Sequence, residues 1–261
     1  MNSKRGLTLL TICLVAFFAV SVHSASAQAD IPSPPIENYL LPSTGGAVSP
    51  DSDGFIRRWT LLEPIGKPNR SNTVFVDSYI REAFAQEFFP NQMSVVPKDG
   101  DKVKVLVEKQ APVNLTMGRP AQQQAPAKPE FENQTLTWHC MDSKRFNVKL
   151  FRFATGLGKE RYGVVFWAVT VLNLDEDLKD VRLAVGSNSA SMWWIDGQEA
   201  LILSGDRRMV MDDATSKRLT LSKGRHVLRG AVINGPGMSD FCVRILDEDG
   251  KPVRNYTITN Q

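Results

Sequence analysis

Residues 181–206 constrain the fold of this chain more than any other stretch. At its start, valine and leucine alternate with arginine and alanine, which is the two-residue period of a strand with one buried face. A polar loop follows at 186–191, and the apolar run 192–195 then leads into Asp196 and Gly197, a strong signal for a hairpin turn. The stretch therefore predicts two strands flanking a polar loop and a third strand after a tight turn.

Short segments of the same kind recur over residues 54–258, separated by turn signals rich in Gly, Pro, Asn and Asp. A helix is predicted over 77–88, where apolar residues at helical spacing share one face and Asp77 is a good N-cap. Segments 146–154 and 162–172 are predicted as strands, the second a central one because it is continuously apolar. The pattern predicts an all-β fold, an antiparallel β-sandwich of jelly-roll type with one short helix.

The first residues predict an exported protein. Lys4 and Arg5 precede an apolar run, and Ala25-Ser26-Ala27 has the small-x-small pattern of a signal peptidase site, so residues 1–27 are predicted to be a signal peptide. No later run of 18 apolar residues indicates a membrane span. We expect a secreted or periplasmic protein without a membrane anchor.

The remainder is predicted to hold one folded domain. Residues 28–53 are rich in Pro and Gly and are predicted to form an extended, poorly ordered tether. Residues 54–258 would form the sandwich, with a disordered Gln/Pro-rich insertion at about 110–132 that lacks the apolar surface needed to order itself.

The charge argues against one class of partner. The whole chain carries a formal charge of +3, and loss of the predicted signal peptide leaves +1, since it removes Lys4 and Arg5 and no acidic residue. A nearly neutral chain without a basic cluster gives no electrostatic basis for binding nucleic acid.

Two cysteines, Cys140 and Cys242, remain after the predicted processing. In an oxidising compartment they can pair if their strands are neighbours with Cα atoms within about 7 Å. Two buried free thiols are an equally acceptable interpretation.

Several polar residues are candidates for a sugar site. Asn188 lies in the polar loop 186–191, and Trp193 and Trp194 follow directly. Because successive strand side chains point to opposite faces, we expect one tryptophan in the core and the other at a surface or rim. An aromatic face beside amide and carboxylate groups is the usual composition of a carbohydrate site.

Other loops add charged and amide groups to this candidate site. In jelly rolls, loops gather at the ends of the sandwich, where they can approach Asn188. Arginine can grip sugar hydroxyls or a uronic carboxylate with its planar fork, although mixed charge in a loop is usually a solvated surface. The further candidate ligand-binding residues are Asp196, Asp206, Arg207, Arg208, Asn234 and Asp240.

Six segments carry a resemblance to a known family: GFIRRWTLLEPI, LTWHCMDS, YGVVFWAVTVLN, VRLAVGSNSASMWWIDGQEAL, LSKGRHVLRGAVIN and FCVRILDEDGKPV. The chain resembles secreted jelly-roll modules, related to galactose-binding and protective-antigen-type lectin domains, found beside glycoside hydrolases and carbohydrate esterases in polysaccharide-degrading bacteria. The resemblance covers about 54–258 without the insertion. Its most specific part is the pattern W-x-[ND]-G, formed by Trp194, Asp196 and Gly197.

The resemblance implies an architecture rather than a chemistry. Some short chains of this kind are labelled acetylxylan esterases, which makes a carbohydrate esterase an alternative. Calcium-dependent relatives present consecutive acidic residues where this chain has residues 186–189, and hard cations require several carboxylate oxygens. We therefore predict no metal site and no cofactor.

An esterase needs a nucleophile, a base and an oxyanion hole. The chain has no G-x-S-x-G motif and no D-x-x-H pair, and its two histidines outside the signal peptide are isolated in separate strands. If the chain were an esterase, His139 would be the base, Ser143 or Ser187 the nucleophile, and Asp142 the residue that orients the base.

The hypothesis that the residues favour is a secreted, non-catalytic β-sandwich that binds carbohydrate, with plant-type polysaccharide such as xylan or its oligosaccharides as ligand. A carbohydrate esterase and a structural or partner-binding module, for example one that binds a secreted enzyme, are the alternatives. None of the three requires a nucleic acid or a membrane.

Overall fold

The strands of this protein form two antiparallel sheets. The structure is a computed structural model, and it describes residues 34–67, 76–108, 130–205, 207–234 and 237–261. The strands of the larger sheet are β1 (Leu40–Pro42), β2 (Arg58–Leu62), β3 (Ile65–Gly66), β4 (Lys102–Glu108), β5 (Phe131–Ser143), β6 (Val164–Leu174), β8 (Ala190–Ile195), β9 (Gln198–Leu203), β12 (Gly224–Asn234) and β14 (Tyr256–Thr259). Those of the smaller sheet are β7 (Leu178–Ser187), β10 (Ala214–Thr215), β11 (Leu219–Leu221) and β13 (Phe241–Leu246).

The strand pairing is antiparallel throughout the described residues. The larger sheet runs β1-β5-β2-β6-β12-β8-β9, with β3 and β14 also on β6 and β4 also on β5. In the smaller sheet β7 pairs with β10, β11 and β13. The prediction of an all-β antiparallel sandwich is confirmed, and its jelly-roll connectivity stays a prediction.

The larger sheet is buried on both faces. Its inner face meets the smaller sheet in a first core, where Trp59, Trp193 and Phe241 pack edge to face with ring centroids 5.0–5.9 Å apart. Its outer face is covered by helix α1 (Asp77–Ala85) and by the segment that follows this helix, which build a second core. There the indole of Trp194 stacks on that of Trp167 at 5.5 Å.

The second core corrects the prediction for the paired tryptophans. Successive side chains of β8 do point to opposite faces, so Trp193 enters the first core and Trp194 the second. Their exposed fractions are 0% and 4%. The expectation that one ring lies at a surface or rim was wrong, because α1 covers the face that the strand pattern left to solvent.

The helices differ from prediction in number and length. Helix α1 ends at Ala85 rather than at residue 88, and Val76 rather than Asp77 occupies its N-cap position. Segment 146–154, predicted as a strand, instead forms helix α2 (Leu150–Gly156) after a single bridge at Val148. The buried side chains of α2 recur at helical spacing, so the apolar residues of this segment form one face of a helix: Leu150, Phe153 and Ala154.

Part of the predicted tether packs against the sheet. A 3-10 turn (Ile36–Asn38) leads into β1, which pairs with the end of β5, and Leu40 is buried in the first core. In its described part, this segment therefore does not extend as a tether. The predicted signal peptide and residues 110–129 of the predicted insertion lie outside the described residues, while Phe131 already belongs to β5.

Cys140 and Cys242 are both free and buried, in β5 and β13 of different sheets. Of the two interpretations, the free thiols are confirmed and the disulfide was wrong. Burial raises the pKa of the Cys242 thiol to about 12.

No helix within the described residues is long and apolar enough to cross a membrane.

Candidate functional site

The loops after β7 and β12 meet the residues around α2 at one end of the sandwich. We call this region the loop end and define it by Asn147, Lys149, Phe151, Tyr162, Asn188, Asn234, Ser239 and Asp240. Main-chain hydrogen bonds hold it together: Asn188 N donates to Asp240 O at 2.9 Å, and Phe151 N donates to Ser239 O at 3.0 Å. The side-chain amide of Asn234 donates to Arg161 O at 2.5 Å.

Asp240 is the buried charge of the loop end. One of its carboxylate oxygens accepts from the ammonium of Lys149 and, at 3.3 Å, from the amide of Asn147. Burial raises the pKa of Asp240, and the cations of Lys149 and Arg152 counter that effect only in part. The second carboxylate oxygen, Oδ1, is buried and has no hydrogen-bond partner.

Three buried oxygens of the loop end lack a partner among the described residues: Asn234 Oδ1, Ser239 Oγ and Asp240 Oδ1. The three residues are 0%, 0% and 5% exposed. A buried polar atom without a hydrogen bond costs about 1–3 kcal/mol, so three such atoms in one loop are unusual for a purely structural turn. These three oxygens can therefore still accept hydrogen bonds.

An exposed aromatic side chain adjoins these polar groups. Tyr162 is 38% exposed, and its ring lies 6.0 Å from that of the half-buried Phe151. Phe151 in turn shares the main-chain hydrogen bond with Ser239. The loop end therefore combines a ring that presents apolar surface with a carboxylate, an ammonium, amides and a hydroxyl.

Three of the residues predicted to bind a ligand lie close together, and their role in binding stays a prediction. Asn188, Asn234 and Asp240 belong to loops that the structure brings to the same end of the sandwich. Arg207 borders them, because Ser189 N donates to its carbonyl oxygen at 3.1 Å. Its guanidinium, however, is engaged, with Nε 2.7 Å from the carboxylate of Asp213.

The other predicted residues lie elsewhere. Arg208 is exposed, and Asp206 lies outside the described residues. Trp193 and Trp194 are enclosed in the two cores, which removes their rings from contact with a ligand in this conformation.

Asp196 lies at the opposite end of β8 and organises the hairpin turn there. It has a φ of 51°, and Gly197 follows with a φ of 78°. The Asp196 carboxylate accepts from Val227 N at 2.8 Å and from His226 Nδ1 at 2.6 Å, while His226 Nε2 donates to Ser222 O at 2.7 Å. The W-x-[ND]-G pattern is thus used for a turn and a buried ring, away from Asn188.

The residues named for an esterase are not assembled into a catalytic group. Ser143 Oγ donates to a main-chain carbonyl at 2.7 Å, and Ser187 Oγ lies 2.8 Å from the hydroxyl of Ser191. Both carboxylate oxygens of Asp142 accept hydrogen bonds from the buried guanidinium of Arg58. None of the hydrogen bonds within the described part of the chain joins His139 to a serine. Nor do three or more His, Cys, Asp or Glu side chains gather there in a group able to hold a metal ion.

Sequence reasoning missed five members of the loop end: Asn147, Lys149, Phe151, Tyr162 and Ser239. The first three were assigned to a strand, whereas the structure places them before and at the start of α2, and Tyr162 was taken as the beginning of β6. A signal was present, since arginine and aromatic residues alternate within residues 151–162. That pattern is too short to identify a site before its neighbours are known.

Comparison with known proteins gives a distant likeness. Neither a family model nor a curated protein matches the sequence. A solved structure described as a PA14 sugar-binding domain from an RTX adhesin is similar over 77% of this chain and 96% of its own, at 9% identity and a TM-score of 0.40. The PA14 domain of the MpAFP antifreeze protein is similar over 77% of this chain and 89% of its own, at 11% identity and a TM-score of 0.38. At these TM-scores the likeness assigns neither a ligand nor a site to this chain.

Proposed function

We propose that this protein is a secreted or periplasmic, non-catalytic β-sandwich that binds carbohydrate at the loop end. Plant-type polysaccharide such as xylan, or its oligosaccharides, is the proposed ligand class. One observation carries the proposal: the exposed ring of Tyr162 adjoins a buried polar group in which Asn234, Ser239 and Asp240 each keep an oxygen without a partner among the described residues.

This combination matches the chemistry of a sugar. A pyranose has apolar C–H faces that pack on an aromatic ring, and hydroxyl groups that both donate and accept hydrogen bonds. The carboxylate of Asp240 and the amide oxygen of Asn234 accept from hydroxyls, while the ammonium of Lys149 donates to them. Because Asn234, Ser239 and Asp240 are buried, this mode of binding requires that their side chains become accessible to the sugar.

Affinity electrophoresis of the mature protein in gels containing xylan and a panel of other glycans tests the proposal. We expect retardation in at least one glycan, and a loss of about tenfold in affinity for Tyr162→Ala, since stacking and cation contacts of one ring contribute on this scale. The matched control is Phe131→Ala. Phe131 is also an exposed aromatic residue, 47% accessible, but it begins β5, about 40 Å along the strand from Ser143.

The control variant separates a site from general adhesion. Retardation that Phe131→Ala keeps and Tyr162→Ala loses supports binding at the loop end. Equal behaviour of both variants would place the binding elsewhere on the surface, and no retardation on a broad panel would overturn the proposed function.

A second candidate is a docking surface for a protein, for example a secreted enzyme. It is favoured by three exposed apolar side chains in the segments that border the loop end: Val210, Met211 and Met238, which are 55%, 53% and 49% exposed. Methionine is enriched in protein interfaces. Light scattering after size exclusion tests self-association, and a strict monomer that binds no glycan would leave a different protein as the partner.

A further inference from the structure

A chain of alternating cations and rings runs along the loop end. Arg145 and Arg152 each lie over the Tyr39 ring, at 5.5 and 5.2 Å from its centroid. Arg152 and Arg161 lie over Phe151, at 5.8 and 5.2 Å. Arg161 also lies over Tyr162, at 5.1 Å. We call these residues the arginine–aromatic ladder: Arg145, Tyr39, Arg152, Phe151, Arg161 and Tyr162.

The three arginines of the ladder have no ion-pair partner within 4 Å among the described residues. Nearby carboxylates are otherwise engaged: Asp240 is paired with Lys149, and Glu160 accepts the main-chain N–H groups of Arg161 and Tyr162 at 2.7 and 3.0 Å. In addition, Arg161 Nε is buried and lacks a hydrogen-bond partner. The carboxylates of Asp240 and Glu160 act on Arg152 and Arg161 through space, but none of the three guanidinium groups forms a direct ion pair among the described residues, so their N–H donors are not used by a carboxylate.

Contact with the rings prepares these guanidinium groups to bind planar anions. A guanidinium held over an aromatic ring keeps its N–H groups, and two of them can donate to the two oxygens of a carboxylate. Contact with a ring also restricts the side-chain rotamers, which lowers the entropy lost when an anion binds. A carboxylate carried by a sugar would meet the ladder and the polar groups of the loop end together.

We propose that the ladder binds the carboxylate groups of acidic polysaccharides, so that the loop end prefers uronate-containing glycans over neutral ones. This inference rests on the proposed function and names its ligand class. Arg152 and Arg161 are the central contacts, because each lies over two rings. Arg145, at the exposed end of the ladder, extends the contact to a further sugar unit.

Single-stranded nucleic acid is the other polyanion that combines with arginine and aromatic residues, and the ladder fits it less well. Nucleic-acid sites stack bases on open aromatic faces. Here the Tyr39 and Phe151 rings each already have two guanidinium groups over them. The N–H donors of the guanidinium groups, rather than the ring faces, therefore remain for a ligand.

The test compares three probes on the mature protein by titration calorimetry: polygalacturonate, the same polymer with its carboxyl groups reduced to neutral alcohols, and single-stranded DNA of similar charge. We expect polygalacturonate to bind at least about tenfold more tightly than the reduced polymer at low salt, with a preference that shrinks as salt is added. In Arg152→Gln/Arg161→Gln the preference disappears, while binding of the reduced polymer is retained.

Two single variants sharpen the result. Arg161→Lys keeps the charge but loses the planar fork, so we expect a preference between those of the wild type and the double variant. Arg225→Gln removes the same charge from an exposed position at the opposite end of β12, about 30 Å along the strand from Asn234, and should leave the preference unchanged. Arg145→Gln, at an exposed residue, serves if the double variant does not fold.

Each outcome has one meaning. Equal binding of the two polymers overturns the acidic preference and leaves the proposed function intact. Tighter binding of DNA than of polygalacturonate overturns the inference in favour of a nucleic-acid surface. Failure of both polymers and of the wider glycan panel overturns the proposed function as well.

Discussion

Strand β12 joins two ends of the sandwich that hold an aspartate in different ways. At the hairpin end, both oxygens of Asp196 accept hydrogen bonds, from Val227 N and from His226. At the loop end, Asp240 binds Lys149 through one oxygen and leaves the other buried without a partner. Both ends were candidates for ligand binding on the same grounds of residue type, and the hydrogen bonds separate them.

A polar residue in a turn indicates a ligand site only when its hydrogen-bonding groups are not already used by partners within the fold. A carboxylate whose lone pairs are used by its own hairpin stabilises that hairpin and has little capacity left for a ligand. A buried oxygen without a hydrogen bond costs about 1–3 kcal/mol, and a ligand that donates to it would remove that cost.

The largest effect is expected for Gly230→Ala, in the middle of the strand that links the two ends. A Cβ at this position would overlap the ring of Trp193, which is fully buried and cannot move aside. We expect a loss of about 2–3 kcal/mol in the free energy of unfolding, measured by urea denaturation. In the control Gly66→Ala, the added Cβ meets nothing within 4 Å, and stability should be unchanged. A neutral Gly230→Ala would contradict tight packing between the ends.

Two serines compare a satisfied with an unsatisfied buried hydroxyl. Ser191 Oγ accepts from Trp193 Nε1 at 3.0 Å and lies 2.8 Å from Ser187 Oγ, so Ser191→Ala should cost about 1–3 kcal/mol by leaving the indole N–H unpaired. Ser239 Oγ has no partner among the described residues. Ser239→Ala should therefore keep or raise the unfolding free energy while weakening glycan binding. A clear loss of stability in Ser239→Ala would show that its hydroxyl is structural.

The smallest effect is a pH dependence at the hairpin end. Burial alone would lower the pKa of His226, but Ser222 O and the Asp196 carboxylate both accept its N–H groups and raise the pKa above 6.5. The imidazolium therefore contributes stability that is fully present below pH 6.5 and is lost as the pH rises through the folded pKa. We expect the melting temperature to fall between pH 6 and pH 8.5 by more in the wild type than in His226→Gln. An identical fall in both would remove His226 as the cause.

Much of the fold followed from the sequence because it depends on neighbours along the chain. Alternation and the Asp196-Gly197 pair predicted β7, β8 and β9 with their turn, and the loops of Asn188, Asn234 and Asp240 met as the sandwich architecture requires. The errors have one origin. Apolar runs at 150–154 and 193–194 fit more than one structure, and the choice between them depends on which distant segment covers them.

The arginine–aromatic ladder illustrates the same limit at the candidate site. Its members come from three places in the sequence: Tyr39 near β1, Arg145 to Arg152 around α2, and Arg161 with Tyr162 before β6. Each segment alone is an ordinary polar surface. Only their arrangement shows that the guanidinium groups share rings and form no direct ion pair among the described residues.

The sequence by itself determined that this protein is an antiparallel β-sandwich with turns at defined places, because strand period and turn chemistry are encoded in contiguous residues. Tertiary structure alone decided that both faces of the larger sheet are buried, that Trp194 is a core residue, and that three buried oxygens without a partner among the described residues lie close together at the loop end. These features depend on contacts between residues far apart in the chain, and such contacts leave no periodic trace in either partner.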